Sequence, residues 1–113
     1  YSPLGMGTLT GKYLKESPVN SRLTLFPQYN RYSNPQAVEA TSRYVDLAKK
    51  HGITAVQLAL AFIENQPFVT STIIGATTMD QLSENIDGFE VELSEEILKG
   101  IDEIHEAIPN PAP

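Results

Sequence analysis

STIIGATTMDQLSENI, residues 71–86, changes character halfway along. Together with the preceding Phe68–Thr70 it opens as FVTSTII, a β-branched run of a length suited to one strand, and predicts a strand over Phe68–Ile74. Gly75 ends that strand, and Gly75-Ala76-Thr77-Thr78 turns the chain. Thr78 and Gln81 then have the spacing of a capping box, which starts a helix over about Met79–Asp87. Leu82 and Ile86 give it an inward face, and Gly88 is read as its end. A strand, a small-residue turn and a helix N-terminus form a natural anion site, because unpaired N–H groups and the positive dipole end converge there. Thr77 and Thr78 add hydroxyl donors. Two readings stand: an anion site, or an ordinary strand-to-helix connection capped by Thr78.

Upstream, residues 34–66 read as two helices. Asn34-Pro35 starts the first, with Val38, Tyr44, Val45 and Ala48 as its apolar stripe. Lys49, Lys50 and His51 oppose the negative end of its dipole, and Gly52 suits a left-handed stop. Thr54 and Gln57 form a capping box for the second, with Ile53 and Leu58 as its hydrophobic staple. Leu58–Ile63 is apolar on most sides, which predicts burial, and Pro67 stops continuation.

Residues 1–33 sustain no helical period. Tyr1–Leu4 reads as the end of a strand, and Gly5, Gly7 and Gly11 punctuate a long loop kept irregular by Pro18 and Pro27. A loop this long is either functional or a mobile linker. Its opening, YSPLGMGTLTGKY, offers small residues, hydroxyls and the cation Lys12 after a strand end. It is no Walker A loop, since Met6 and Tyr13 break that pattern, and Thr10 breaks a GxGxxG fingerprint. Arg22 and Arg31 could each clamp an anion or face water. At the other end, Phe89–Leu93 reads as extended. Ser94 caps a terminal helix with Glu95 and Glu96 in its first turn and Ile97, Leu98, Ile101, Ile104 and Ile108 inward. Pro109, Pro111 and Pro113 make the tail non-helical.

Composition narrows the function classes. The chain has 113 residues, 41% of them hydrophobic, so one modest core is expected. Its net charge of −6 argues against nucleic acid or an anionic membrane surface as main partner. No apolar run is long enough to span a bilayer, and no secretory leader is visible. The absence of cysteine excludes disulfides, thiolate metal sites and a cysteine nucleophile, and fits a cytoplasmic location. His51 is explained by the helix dipole, His105 has no metal-ligand partner at helical spacing, and no Ser–His–Asp constellation can be assigned. The abrupt start at Tyr1, without an initiator Met, leads us to expect a piece of a longer protein.

Taken together, YSPLGMGTLTGKY and STIIGATTMDQLSENI resemble the two cofactor-binding stretches of the aldo-keto reductase superfamily, and VELSEEILKGIDEI resembles its C-terminal segment. The resemblance covers nearly the whole chain and includes the potassium-channel β-subunit branch. It implies an α/β fold: the C-terminal part of a (β/α)8 TIM barrel, with the last two β/α units, extra helices and an incomplete barrel in this chain. Within that single domain, 1–33 would be a strand end and cofactor loop, 34–66 two helices, 68–88 a strand, phosphate turn and helix, and 94–108 the terminal helix. Barrel ligands bind at the C-terminal strand ends, often with phosphate near strands seven and eight.

The resemblance also implies NADP(H) as cofactor and a small carbonyl or alcohol as substrate. Tyr1 would stack on the nicotinamide. Ser2, Leu4, Gly5, Met6 and Gly7 would line the pyrophosphate path, and Lys12 and Arg22 would reach the phosphates. Gly75, Ala76 and Thr77 would approach the adenosine 2′-phosphate, with Gln81, Glu84 and Asn85 around the adenine and ribose. The charged residue frequent at the position of Gly75 and the Arg frequent at Gln81 are absent, yet branches with Gly and Gln there still use NADPH. The family's catalytic Tyr, Lys, Asp and His would lie upstream of Tyr1, and none of Tyr13, Tyr29, Tyr32 or Tyr44 matches the catalytic Tyr motif. No catalytic residue and no metal ligand is therefore assigned to this chain. Two strands cannot close a barrel, so the 113-residue chain alone is expected neither to fold stably as a monomer nor to reduce carbonyls.

Overall fold

The computed structural model describes residues 2–112, and among them every regular element is helical. A 3₁₀ segment covers Gly5–Thr10, and α1 is a single turn at Arg22–Leu25. There follow α2 (Pro35–Lys50), α3 (Ala55–Glu64), α4 (Met79–Phe89) and α5 (Glu95–Ala107).

The helix starts follow the local chemistry. Asn34 caps α2 by accepting the Ala37 N–H at 3.0 Å, with Pro35 in the first turn. Both bonds of the Thr54/Gln57 box form: Gln57 N–H to Thr54 Oγ1 at 3.1 Å, and Thr54 N–H to Gln57 Oε1 at 2.9 Å. Between these helices Gly52 takes φ 70°, a left-handed conformation that glycine adopts without a Cβ penalty. Ser94 caps α5 through the Ile97 N–H.

The core forms where α2, α3 and α5 meet. Ala48, Leu58, Ile97 and Ile101 are buried against one another, and Tyr44, Leu47, Ile53 and Leu93 pack around them. Each fully buried aliphatic side chain of Leu or Ile size contributes roughly 1.5–3 kcal/mol. The outer face of α3 packs on α4, and the 3₁₀ segment leans on both α2 and α3. Gly11 ends that segment at φ 79°, and a Cβ there would stand 2.8 Å from Val45 Cγ2 on α2.

Four expectations are corrected. Gly88 does not close α4: the helix runs through Phe89, and Gly88 is buried inside it against Leu60. Its missing side chain serves the close approach of α3 and α4 rather than a turn. Phe89 is accordingly helical, and only residues 90–94 lack regular structure before α5.

The expected strand Phe68–Ile74 is not formed, and Ser2–Leu4 belongs to a turn. A strand is stable only with a neighbour to take its N–H and C=O groups. Among the described residues no second strand lies beside this run, so a segment of strong β-propensity stays irregular. Phe68 and Ile73 stand 80% and 86% exposed, a large apolar surface left without cover. The proline-rich tail is non-helical as expected, and it folds back on the start of α2. There the Asn34 side-chain amide donates to the Pro111 carbonyl at 2.9 Å.

Candidate functional site

The first glycine loop is a compact left-handed knot. Ser2, Gly5, Met6 and Gly7 have φ of 51°, 53°, 58° and 89°. For Ser2 and Met6 this is an uncommon conformation of the kind that concentrates at functional sites. The Gly5 N–H donates to the Ser2 carbonyl and the Gly7 N–H to the Leu4 carbonyl, both at 2.8 Å. Thr8 and Thr10 hydroxyls tie back to the carbonyls of Gly5 and Gly7 at 2.7 and 2.8 Å. The Gly5 and Gly7 donors are therefore engaged inside the knot, whereas the Met6 N–H has no partner among the described residues.

Lys12 returns to this knot. A Cβ on Gly7 would lie 3.2 Å from Lys12 Nζ, which places the ammonium close to the knot. The same ammonium sits 5.1 Å from the centroid of the Tyr13 ring. The Tyr13 hydroxyl accepts the Leu23 N–H at 3.3 Å, which binds Lys12–Tyr13 to the segment carrying Arg22. Burial opposes ionisation of Tyr13. Hydrogen bonds from Ser21 and Leu23 and the charge on Lys12 outweigh that, and its pKa is lowered from the ordinary 10.0. Arg22 opens α1 and is exposed.

The second loop precedes α4. Thr78 Oγ1 accepts the Gln81 N–H at 3.2 Å, but the return bond of the expected capping box is shifted by one residue. Gln81 Oε1 takes the N–H and the hydroxyl of Thr77, at 2.9 and 3.0 Å, instead of the Thr78 N–H. Asn85, only 2% exposed, donates to the Gly75 carbonyl at 3.4 Å and so struts the turn from beneath. Gly75, Ala76, Thr77 and Gln81 are exposed and Glu84 is half-buried. A Cβ at Gly75 would meet nothing within 4 Å, so the space above the turn is open.

The 3₁₀ segment and α4 make no direct contact with each other. They are placed through α3, on which both the 3₁₀ segment and α4 pack. No nominated residue lines the groove between α2 and α5 or the one between residues 8–24 and α2. Tyr1 lies outside the described residues. Sequence reasoning missed the strut made by Asn85, the approach of Lys12 to Gly7 and the role of Gly88. The nearest available signal was the glycine in each case: Gly75 beside Asn85, Gly7 beside Lys12, and Gly88 itself. Among the described residues no three His, Asp or Glu side chains gather as a metal site, and no helix is long and apolar enough to cross a membrane.

This chain belongs to the aldo/keto reductase family, whose model matches residues 1–106. It is 52% identical over its whole length to Protein tas of Escherichia coli, covering 33% of that protein. It is 39% identical to a probable aldo-keto reductase 1 of Glycine max, over 96% of this chain and 31% of the relative. It is 38% identical to a putative voltage-gated potassium channel subunit beta of Schizosaccharomyces pombe, over 92% of this chain and 32% of the relative. The chain thus spans about a third of the length of these relatives. The family implies a (β/α)8 barrel, whereas the described part of this chain is its helices and loops without a paired strand.

Proposed function

We propose that this chain is the C-terminal cofactor-binding portion of an oxidoreductase that moves hydride between NADP(H) and a small aldehyde or ketone. In this reading it contributes the last two β/α units of the barrel, and the catalytic residues lie in the part of the parent upstream of Tyr1. The fragment alone is then inactive. The observation that supports the reading best is the left-handed knot at residues 5–7 with Lys12 Nζ beside Gly7, and with Leu23, the residue after Arg22, hydrogen-bonded to Tyr13. Two cations on one strap suit a dianionic pyrophosphate.

The residues present fit such a group. Ser2, Leu4 and Met6 offer backbone and hydroxyl contacts along the knot, with the unengaged Met6 N–H as one donor. Gly75, Ala76 and Thr77 leave open space at the start of α4 for the adenosine phosphate, with favourable dipole sign. Gln81 and Asn85 hold that turn in shape, and Glu84 flanks the ribose. Tyr1 would stack on the nicotinamide. When bound, the nicotinamide supplies the hydride, and this chain supplies position and electrostatics.

A fluorescence titration of the full-length parent with NADPH tests this. Tight binding is expected, and Lys12→Ala combined with Gln81→Glu should weaken it by about tenfold or more, the loss of a charge-assisted contact. Absent or unchanged binding would overturn the reading. A second reading is a non-catalytic NADP(H)-binding regulatory subunit, favoured by the relatives named as potassium channel subunits. Steady-state assay of the full-length protein with small aldehydes separates the two, since a sensor would hold cofactor with negligible turnover.

A further inference from the structure

The strap between Lys12 and α2 is tied down near its two ends. At the near end the Leu23 N–H donates to the Tyr13 hydroxyl at 3.3 Å. Beyond that bond the strap is held by its own neighbours: the Thr24 hydroxyl donates to the Pro18 carbonyl, and the Phe26 and Tyr29 N–H groups donate to Arg22 and Phe26. Every residue from Thr24 to Arg31 is exposed. A segment with so few buried contacts belongs to the least stable part of a fold.

The far end is tied across the chain. Arg31 Nε donates to the Ala112 carbonyl at 3.2 Å and Asn34 Nδ2 to the Pro111 carbonyl at 2.9 Å, over separations of 81 and 77 residues. The Asn34 amide also donates to the Arg31 carbonyl at 3.3 Å, which joins the two grips. Asn110 takes φ 54° just before the gripped carbonyls, and Pro111 and Ala112 are half-buried where they dock. Arg31, open on sequence grounds to an anion or to water, thus commits its Nε to a backbone carbonyl. The gripped segment lies past residue 106, where the family match ends.

We propose that Arg31 and Asn34 are positioning residues that latch the strap onto Asn110–Ala112, and that this latch slows the release of a bound dinucleotide. The second half rests on the proposed function, in which Arg22 on the strap reaches the phosphates. With the latch closed, Arg22 stands between two anchors. With it open, the free segment is longer, and placing Arg22 becomes an ordering cost at the moment of binding. Asn34 suits the task because its Oδ1 accepts the Ala37 N–H at 3.0 Å while its amide grips Pro111. The latch is thereby mounted on the end of a helix.

Asn34→Asp separates these two jobs. A carboxylate still caps α2, but it cannot donate to the Pro111 carbonyl. Asn110→Val acts from the other side, because a β-branched residue disfavours a left-handed φ. Amide hydrogen exchange of the full-length parent without nucleotide reads the latch. Both variants should speed exchange at Phe26, Tyr29 and Ser33 about three- to tenfold, the loss of one hydrogen bond, and leave the α2 amides unchanged. Stopped-flow release of NADPH should quicken by a similar factor, and the double variant should be no faster than the faster single one. Unchanged strap exchange in both variants overturns the latch, as does equal loosening of α2. Faster exchange with unchanged NADPH release overturns its role in retention. A parent that binds no NADPH overturns the proposed function and the retention half with it, while the exchange result still decides the latch.

Discussion

The Asn85 side-chain amide donates to the Gly75 carbonyl across a separation of ten residues, at 3.4 Å, from a side chain almost completely enclosed. One buried residue on the second turn of α4 thereby sets the shape of the loop in front of that helix. Gln81 makes the second link, to Thr77.

Replacing Asn85 with Ala should leave the α4 turn unsupported. The expected cost is about 1–2 kcal/mol of stability, a hydrogen bond and buried contacts together. Urea unfolding of the full-length protein measures it. In the proposed reading NADPH also binds more weakly, because the turn must be ordered at the moment of binding. A variant as stable as the parent protein would mean that the bond is incidental.

Two helix-interior glycines should respond differently to Ala. A Cβ at Gly88 would stand 3.2 Å from Leu60 Cβ and 3.4 Å from Gln57 Cα, atoms that cannot rotate away. A Cβ at Gly100 would meet the δ-methyls of Leu47, nearest 2.7 Å, and these line an open groove between α2 and α5 into which they can swing. Ala gains about 1 kcal/mol of helix propensity at either site, and overpacking costs about 1–3 kcal/mol. Gly88→Ala should therefore destabilise and Gly100→Ala should lie near neutral. Thermal melts of the two variants side by side decide it.

The junction of α2 with α5 should loosen in acid. A hydrogen bond from Lys50 to Glu96 Oε1 at 2.9 Å, the charge of Lys50 and then that of His51 hold the Glu96 carboxyl below its ordinary value of 4.5. The folded pKa is thus the lower one. The stabilisation is present in full above the unfolded value and is lost as pH falls below about 4.5 through the folded value. Because Glu96 is exposed, added salt should weaken the link as well. Amide exchange in the first turn of α5, compared between neutral and acid pH, should show the loss. Glu96→Gln should remove its pH dependence.

Helix positions were legible because their signals are local. Asn34-Pro35, Thr54 with Gln57, and Ser94 each act within one turn, and each caps its helix as read. The end of α4 was misread because glycine carries two meanings. At Gly52 it supplies a left-handed φ, whereas at Gly88 it makes room for Leu60, and only the neighbouring helix distinguishes them. The glycine knot at residues 5–7 was visible as a loop, but the return of Lys12 onto it was not. That approach depends on a 3₁₀ turn that no apolar periodicity announces.

The amino-acid order alone determined the capped helices, the apolar face of each and the family to which the chain belongs. These depend on contacts within a few residues, or on motifs that can be read in line. The tertiary structure decided what FVTSTII becomes, since a strand requires partner groups that its own residues cannot provide. It also decided that Thr8 and Tyr13 lie across a groove from Thr41, because these residues meet only when the first loop packs on α2.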